Sequence, residues 1–596
     1  MRSLVTLLFV GACAGAPSEP AGEFDADVSE AAVKAKKATY AEQGWSAEVR
    51  AQIYHASEGS QLMPLSWFVS LESPGARAAF VRELESFGFI ASDAPRELNP
   101  NRLPVGFTED IDLETGVLYG EPSWVGINCT ACHTAEIEVG GKRLRIDGAP
   151  SLVDLPRFQE RLLAAVDATL ADETKLERFA ERVGAPDAAD IEARLSLFSR
   201  AFHQRLNRNG ELVTNGKTIV SGPGRLDGLG GPTNETLCEL ADLGSARLRS
   251  VMEKPENCRG GHPASSYPHV WGITREEYVQ WAGNVHNSLG RNLGQANGVF
   301  GQNWVDEDSF GRPVFRTSAD VVALHQIERW YDSLEAPSWA DLARRKVLPA
   351  INRESAARGA ALYAHHCDSC HAVTPRLTPP SALGYSFWQV GVFGLDEVGT
   401  DPGVLAVNAQ RTAVVPEPLL DAFKQTFGPE VVGPDGAAPA AMYRALLIRA
   451  MIRDYFVKEQ VPPREQQVLT DCRDGRQQPK IGYKARSLDG IGFTAPYLHN
   501  GSVPTLDDLL RPASERPKTF YLGCRRYDTE RLGYRCDASS ERAFLFDTSL
   551  PSNSNQGHEY GTSLDRTQRA DLIAYIKTLT SPEHPPLPAG GACNDR

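Results

Sequence analysis

The sequence lacks an excess of positive charge. Its 62 Lys and Arg are outnumbered by 76 Asp and Glu, so the net charge is −14, and nucleic acid phosphates and anionic lipids repel such a surface. A nucleic acid partner is therefore disfavoured. Beyond the N-terminus the sequence also lacks any apolar run near the roughly 20 residues that a bilayer-spanning helix needs.

The composition that remains is typical of a folded protein rich in loops. Hydrophobic residues make up 41% and charged residues 23%, which excludes a disordered chain. The 52 Gly and 40 Pro are spread over most of the sequence. At roughly 100–200 residues per domain, 596 residues predict several domain-sized units.

The first residues predict export. Arg2 precedes an apolar run over residues 4–10, and the run ends in Val-Gly-Ala-Cys at Cys13. These four residues resemble a bacterial lipobox, which makes residues 1–13 a lipoprotein-type signal and Cys13 the lipidated residue. The alternative is a plain secretory signal cut by Ala16. Both interpretations place the protein in the periplasm or on the cell surface, with residues 14–80 as a tether and N-terminal extension.

Two copies of one motif stand out among the eleven cysteines. The pattern Cys-x-x-Cys-His occurs at Cys129, Cys132 and His133 and again at Cys367, Cys370 and His371. Two thiols three positions apart on one helical turn reach the two vinyl groups of a porphyrin, and the adjacent imidazole becomes the axial ligand of the iron. The sequence therefore predicts two covalently bound haem c groups.

Other chemistry competes for a lone Cys-x-x-Cys pair. Two pairs can hold a zinc ion with four thiolates, and one pair can act as a redox dithiol. Histidine is scarce, with 13 residues in 596, so two following histidines have a chance of only about 0.0005 by composition. Because neither His has a role in an all-thiolate zinc site, haem is the favoured interpretation.

Six cysteines remain after Cys13 and the haem thiols, an even number that suits disulfides in an oxidising compartment. Proximity in the sequence favours the pairs Cys238–Cys258 and Cys524–Cys536, which leaves Cys472–Cys593. The alternative is that several of the six are buried free thiols.

Helices are predicted beside both motifs. Residues 354–366 lead into the second motif, and two further segments place apolar residues on one helical face, Leu324, Ile327, Tyr331 and Leu334 in one and Leu572, Tyr575, Ile576 and Leu579 in the other. After the first motif, "GKRLRIDG" predicts a hairpin strand, residues 154–170 a helix and residues 172–205 a helical pair. Pro337 stops the helix that precedes it.

The two helical ends, "RWYDSLEAPSW" and "AYIKTLTSPEH", are alike and place a boundary near residue 340. We expect a mainly α protein with two cytochrome c-like haem domains and long loop insertions. The first covers residues 81–340, and the second covers residues 341–596 with a C-terminal tail.

Residues from about 85 to 580 resemble the exported dihaem cytochromes related to bacterial cytochrome c peroxidase and MauG, and within them the rubber-oxygenase-like (RoxA-like) branch. The resemblance rests on "GINCTACHTAEI" with "LRIDGAP", "YPHVWGITREEYVQWAGNVHNSLGRNLGQANGVFG", "HCDSCH" with "VGTDP", and "YKARSLDGIGFTAPYLHNGSVPTLDDLL". The pieces "RPKTFYLG" and "NSNQGHEYG" point more narrowly to the RoxA-like branch.

Five residues are candidates for the sixth ligand of the second haem: Met442, Met451, Tyr497, His499 and His558. Both methionines lie in an apolar helical stretch and are interpreted as core residues. His558 lies in a Gly-His-Glu-Tyr loop, and the resemblance to the RoxA-like branch implies that it completes a bis-histidine haem. His499 is the alternative, although its counterpart in the peroxidase family lies near the haem edge. A bis-histidine haem has no open position.

The first haem has no matching sixth ligand. Besides His133, the histidines of its unit are His203, His262, His269, His286 and His325, and none lies in a recognisable distal motif. Its neighbourhood is aromatic instead, with Trp271 and Trp281 as candidate pocket residues, although core packing is the commoner role of such rings. This composition predicts a five-coordinate haem open to dioxygen or peroxide. Trp124 is a candidate for electron relay between the haems.

Two classes of function compete. One is an oxidoreductase that activates dioxygen at the first haem to oxidise a small or polymeric hydrophobic substrate such as a polyisoprenoid, or that uses hydrogen peroxide with electrons from a small cytochrome. The other is a cytochrome that only carries electrons. A carrier needs about 100 residues per haem, so the length of this chain favours the enzyme. The other expected association is with a membrane through the lipid anchor.

Overall fold

The computed structural model describes residues 38–380, 385–471, 473, 478, 480–540 and 542–582. The predicted signal with Cys13, and both members of the predicted Cys472–Cys593 pair, lie outside these residues.

Helices occur along the whole described chain. They are α1 Ala47–His55, α2 Leu65–Ser70, α3 Leu113–Gly116, α4 Cys129–Cys132, α5 Leu155–Leu170, α6 Glu173–Arg182, α7 Ala188–Arg208, α8 Gly230–Leu237, α9 Ala246–Met252, α10 Ser288–Gly298, α11 Val321–Asp332, α12 Trp339–Arg344, α13 Arg353–His366, α14 Leu395–Val398, α15 Gly403–Gln410, α16 Glu417–Phe427, α17 Ala440–Lys458, α18 Pro463–Leu469, α19 Leu506–Leu509 and α20 Arg566–Ile576. Short 3-10 helices lie at Phe80–Phe87, Pro255–Asn257, Pro429–Val431, Ile491–Phe493 and Ala513–Glu515.

The strands form small separate sheets. They are β1 Thr39–Tyr40, β2 Met63–Pro64, β3 Phe107–Ile111, β4 Ser123–Ile127, β5 Thr134–Val139, β6 Lys142–Asp147, β7 Leu212–Thr214, β8 Lys217–Ile219, β9 Arg225–Leu226, β10 Ser265–Ser266, β11 Asn303–Glu307, β12 Pro313–Thr317, β13 Val392–Phe393, β14 Thr412–Val414, β15 Ala437–Pro439, β16 Tyr483–Lys484, β17 Thr519–Leu522, β18 Tyr527–Asp528, β19 Gly533–Tyr534 and β20 Phe544–Asp547. The three-stranded sheets have the orders β1-β6-β5 and β2-β4-β3, and the others are two-stranded pairs.

The predicted elements beside the motifs are confirmed. The "GKRLRIDG" segment forms β6 of an antiparallel hairpin with β5, the segments that follow form α5, α6 and α7, and the helix before the second motif is α13. The periodic segments form α11 and α20, but Leu334 and Leu579 lie beyond the helix ends. About 40% of the described residues are helical and 15% are strand, so the mainly α expectation holds only loosely.

Helices α13 and α20 cross at close range beside the second motif. A Cβ at Gly359 would lie 2.0 Å from the carbonyl oxygen of Asp571, so a side chain there would clash with the α20 backbone. Across the crossing, Arg358 donates to Asp571 at 2.7 Å and the rings of Tyr363 and Tyr575 lie 5.1 Å apart. The packing of α13 against α20 therefore fixes the helix that leads into the second motif.

The hydrophobic clusters do not stop at residue 340. One cluster unites residues from Ala41 to Leu579, including Trp271 and Tyr363, and another extends from Leu237 to Leu469. A third is confined to residues between Leu62 and Phe300. The domain boundary stays a prediction, and the two motif regions share packed side chains.

Cysteine pairing follows the sequence proximity in one case. Cys524 and Cys536 form a disulfide, whereas Cys238 and Cys258 are unbonded thiols that interact through their sulfurs, and this interaction raises the pKa of Cys238. No helix in the described part of the chain is both long and apolar enough to span a membrane.

Candidate functional site

The first motif is held between two strands. Asn128 follows β4 and caps α4, where its side chain accepts a hydrogen bond from the Thr130 amide. Its amide nitrogen donates to the carbonyls of Ile53 and Ala56 at 2.7 and 2.9 Å. Helix α4 contains both cysteines of the motif, and β5 begins directly after His133. The turn leading into the motif is thus fixed from both sides, as a rigid attachment site requires.

The "LRIDGAP" segment folds back onto the first motif. The Gly148 amide donates to the His133 carbonyl at 2.8 Å, and the Ser151 amide donates to the Cys132 carbonyl at 2.9 Å. This motif is deep in the fold, because Thr130 and Ala131 between its cysteines are buried. Burial also raises the pKa of Glu58 to about 7, and this carboxyl accepts a hydrogen bond from Cys129 at 3.2 Å.

The two motif histidines are oriented in the same way. Nδ1 of His133 lies 2.7 Å from the Pro268 carbonyl, and Nδ1 of His371 lies 2.6 Å from the Arg486 carbonyl. A carbonyl partner makes Nδ1 the donor, so Nε2 carries the free lone pair, the arrangement typical of metal-binding histidines. Burial lowers the pKa of His133 to about 4 and also lowers the pKa of His371, which keeps both imidazoles neutral.

The second motif follows α13 at the protein surface. The amide of Cys367 donates to the Tyr363 carbonyl at 2.8 Å, and the Tyr363 hydroxyl donates to the His371 carbonyl. Asp368 and Ser369, between the two cysteines, are exposed. This edge of the second site is therefore open to solvent, unlike the corresponding edge of the first.

His558 faces the histidine of the second motif. The centres of the His371 and His558 rings are 6.3 Å apart. Two metal–imidazole bonds of about 2 Å, each extended by roughly 1.1 Å from nitrogen to ring centre, give about 6.2 Å, which is close to this separation. Burial and the neighbouring His371 lower the pKa of His558 to about 4, so this imidazole is neutral as well.

The loop that bears His558 is fixed by main-chain contacts. The His558 amide donates to the Val398 carbonyl at 2.7 Å, and a Cβ at Gly557 would meet the Gly399 backbone at 2.3 Å. Arg516, from the "RPKTFYLG" segment, donates to the carbonyls of Gly557 at 2.8 Å and of His558 at 3.3 Å. The "RPKTFYLG" segment therefore holds the main chain of the "NSNQGHEYG" segment in place beside the second motif.

His499 is paired with Tyr483 and does not face His371. Its Nε2 lies 2.9 Å from the Tyr483 hydroxyl, and the two rings stack with centres 4.0 Å apart. Burial, with the charge of Arg225, lowers the pKa of His499 to about 3. Met442 and Met451 lie on α17, where Met451 is buried in the cluster that contains α10 and α17.

The first motif has no facing imidazole among the described residues. The ring 6.3 Å from His133 is that of Tyr267, whose hydroxyl donates to the Val153 carbonyl. The other histidines of residues 81–340 have partners of their own: His203 with Asp167, His262 with Asp227, His325 with Asp471, His286 with the Glu277 carbonyl, and His269 stacked on Trp271.

The indole N–H groups of Trp271 and Trp281 both donate to main-chain carbonyls. Trp271 donates to the Asp489 carbonyl at 3.0 Å, and Trp281 donates to the Ser266 carbonyl at 2.8 Å. Their contribution to a site is therefore apolar ring surface, and their catalytic role stays a prediction. Trp124 lies on β4, with its ring centre 5.7 Å from that of Tyr119.

Arg486 links the two motif histidines. Its carbonyl accepts from His371, and its buried guanidinium donates to the His269 carbonyl and lies 5.7 Å from the Trp281 ring centre. Because His133 bonds to the adjacent Pro268, three hydrogen bonds and two chain segments join His133 to His371. No sequence spacing could reveal this, since His371 and Arg486 are 115 positions apart.

The donor set fits haem c and not a shared zinc site. In the described residues no three His, Cys, Asp or Glu side chains converge as a metal site requires, so the four motif thiols do not assemble into the zinc-thiolate alternative. Each thiol pair is instead followed by an imidazole with an oriented Nε2, and the second has a facing imidazole at the separation an iron needs.

Comparison with known proteins agrees with a cytochrome. The family model described as RoxA-like, cytochrome c-like matches residues 482–521, the segment that contains Arg486, His499 and Arg516. This match supports a RoxA-like relationship and haem c, and it does not extend to the peroxidase and MauG families.

Two relatives from Sinorhizobium fredii cover much longer parts of the chain. The uncharacterized protein y4iJ is 31% identical over 92% of this chain and 94% of its own length. The uncharacterized protein y4iM is 26% identical over 52% of this chain and 63% of its own.

Proposed function

Because this chain belongs to the family of the Sinorhizobium fredii protein y4iJ and carries a RoxA-like, cytochrome c-like segment, we propose that it is an exported dihaem c-type oxidoreductase. It activates dioxygen at the first haem and oxidises a hydrophobic substrate. The second haem has a structural and electron-transfer role.

One observation carries this proposal. The second motif faces an imidazole at 6.3 Å between ring centres, whereas no described histidine pairs with His133 in this way. His269 is close to His133 but stacks on Trp271. Since a sixth protein ligand closes an iron to exogenous molecules, the asymmetry supports an open first haem and a closed second one.

The protein residues have distinct tasks in this proposal. Cys129 and Cys132 anchor the first haem, Cys367 and Cys370 the second, and His133 and His371 supply the proximal nitrogens, with His558 as the sixth ligand of the second. Haem supplies the redox chemistry, and the chain supplies orientation, burial and access. Pro268 and Arg486 hold the proximal rings through their carbonyls.

Export rests on separate support. The Cys13 pattern predicts a lipid anchor, and the Cys524–Cys536 disulfide is suited to an oxidising compartment. Replacement of Cys13 by alanine is expected to move the protein from the membrane to the soluble periplasmic fraction, and unchanged fractionation would contradict the anchor.

Oxygen uptake tests the activity. Protein matured in a host competent for haem c attachment is mixed with an unsaturated hydrocarbon, such as a polyisoprenoid, without an external reductant. We expect dioxygen consumption together with oxidised hydrocarbon, and neither in a Cys129→Ser, Cys132→Ser variant. Reduction of hydrogen peroxide only in the presence of reduced cytochrome c would instead favour a peroxidase, and inertness in both assays would favour an electron carrier.

A further inference from the structure

A large cavity lies between α8, α10, α15 and α17. Its volume is about 1030 Å³, near the upper end of the roughly 300–1,000 Å³ typical of ligand pockets. One wall is apolar and is formed on α17 by Met442, Ala445, Ile448, Ile452 and Phe456. The cavity therefore has room and surface for a long hydrocarbon.

The charge of the cavity is opposite to that of the protein. Its described lining includes the cations Arg291, Arg411, Arg444, Arg449, Arg453 and Lys480 and no Asp or Glu, although the chain as a whole carries −14. A cavity of one sign concentrates ligands of the opposite sign. A neutral hydrocarbon would not need this lining.

Some of these cations are neutralised by carboxylates outside the lining. Arg291 pairs with buried Glu328, Arg453 pairs with Asp454 at 2.7 Å, and Lys480 pairs with Glu397 at 2.6 Å. They therefore contribute less than a full charge to the cavity.

Arg444 and Arg411 have only neutral hydrogen-bond acceptors in the described structure. Arg444 donates to the Gly294 carbonyl at 3.1 Å, and a Cβ at Gly294 would lie 2.6 Å from its guanidinium, so glycine makes room for it. Arg411 donates to Asn234 and to the carbonyls of Gly230 and Asn257. The buried Nε atom of each arginine has no partner.

One carboxylate that acts on both arginines already has other hydrogen-bond partners. Asp227 acts on both arginines, but its carboxylate lies 3.1 Å from the His262 ring and accepts from the Gly230 amide at 2.7 Å. Burial and the repulsion of Arg411 lower the pKa of Arg444 to about 10, which leaves it charged at neutral pH.

Arg411 is buried and Arg444 is partly buried, and neither donates to a carboxylate in the described structure, which is costly. A planar carboxylate fits the guanidinium fork with two parallel hydrogen bonds. We propose that this cavity binds a long-chain carboxylate, with its head at Arg444 and Arg411 and its hydrocarbon chain along the α17 wall. That such a molecule is the one oxidised rests on the proposed function, whereas its binding does not.

Displacement of a fluorescent unsaturated fatty acid, cis-parinarate, from the haem-loaded protein tests the site. The dissociation constant of oleate is expected to be about tenfold lower than that of methyl oleate, which has the same chain without the charge. Arg444→Gln should weaken oleate about tenfold, since a charged hydrogen bond is lost, and should leave methyl oleate unchanged. Lys458→Gln is the matched control, because it removes a cation from the same helix outside the cavity lining.

A second pair of variants avoids Arg444. Val457 lines the cavity and is 72% exposed, and it lies on the same helix as Arg444 but about 20 Å away, beyond the screening length of about 10 Å. Val457→Glu and Val457→Lys should therefore weaken oleate and methyl oleate to a similar extent, because either charge meets the hydrocarbon chain and not the carboxylate. Equal affinity for oleate and methyl oleate, equal behaviour of Arg444→Gln and Lys458→Gln, or absence of oleate binding would overturn the proposal. Binding is measured without turnover, so its outcome is independent of oxygen uptake.

Discussion

The two Cys-x-x-Cys-His motifs share one chemistry and occupy different surroundings. Both histidines donate a hydrogen bond from Nδ1 to a main-chain carbonyl, yet among the described residues only His371 faces a second imidazole. The first motif lies on a buried turn between β4 and β5, and the second lies at the end of α13 with an exposed edge. Identical attachment sequences can therefore serve different tasks, and access to the sixth position decides which.

This difference suits a division of labour. A closed haem near the surface can exchange electrons with a small partner cytochrome, because electron transfer needs proximity and no open position. In the proposed function, the open haem at the buried first motif would be shielded from such partners and would be reached only by molecules small enough to enter its pocket. The following changes test each side of the comparison.

Loss of either motif should have the largest effect. Cys129→Ser with Cys132→Ser should lower the intact mass by one haem and abolish carbon monoxide binding, while the low-spin signal of the second haem remains. Cys367→Ser with Cys370→Ser should lower the mass equally but remove the low-spin signal. Equal spectra of the two variants would mean that the sites are alike.

Opening the second site should make it resemble the first. His558→Ala removes the facing imidazole, so one low-spin haem should become high-spin in the electron paramagnetic resonance spectrum. His499→Ala is the control, because its ring is stacked on Tyr483. A low-spin spectrum that survives His558→Ala and is lost in His499→Ala would transfer the ligand role to His499.

Arg486 should affect the first site more than the second. Arg486→Met removes a buried positive charge that acts on His133, whereas His371 bonds to the Arg486 main-chain carbonyl, which the substitution keeps. Loss of the charge favours the ferric state, so the midpoint potential of the first haem should fall by on the order of tens of millivolts and that of the second by less. Arg486→Lys keeps the charge and should recover most of the shift. Spectroelectrochemical titration measures this, and potentials identical to those of the unmodified protein would remove Arg486 from the link.

The effect on acid stability separates His499 from the haem ligands. Its pKa is about 3 when folded and about 6.5 when unfolded. Between these two values the unfolded chain binds a proton at His499 and the folded protein does not. The free energy of unfolding is therefore unaffected above pH 6.5 and falls by about 1.4 kcal/mol per pH unit as the pH drops towards 3.

His499→Gln removes that proton-linked loss while an amide can still reach Tyr483. The urea midpoint of the variant should therefore depend less steeply on pH between 6.5 and 3, with the visible haem spectrum unchanged. An equally steep dependence would mean that His499 does not carry this linkage.

Local patterns in the sequence predict many of the helices and one disulfide. The helices at α5, α13 and α20 and the Cys524–Cys536 disulfide follow from periodicity and proximity, and the structure confirms them. Small sheets such as β17 with β20 were not predicted, because strands of two to four residues have too little periodicity to detect. The assignment of His558 came from a resemblance and not from spacing.

Long-range contacts were beyond the sequence. Three features join segments that are far apart in the chain. They are the hydrogen bond from His371 to Arg486, the contact of Arg516 with the His558 loop, and the basic cavity. Hydrogen bonds to main-chain carbonyls leave no residue-type signature, because every residue has a carbonyl. Arg486 and Arg516 lie in segments that carry the resemblance, but a sequence does not show which residues they contact.

Carbon monoxide binding to the reduced protein tests the central claim most directly. Intact protein carrying two haems is reduced with dithionite and titrated with carbon monoxide, and the Soret band is followed. The account predicts one carbon monoxide bound per chain, with the spectrum of the second haem unchanged. Two bound per chain, or none, would contradict the proposal that only the first haem is open.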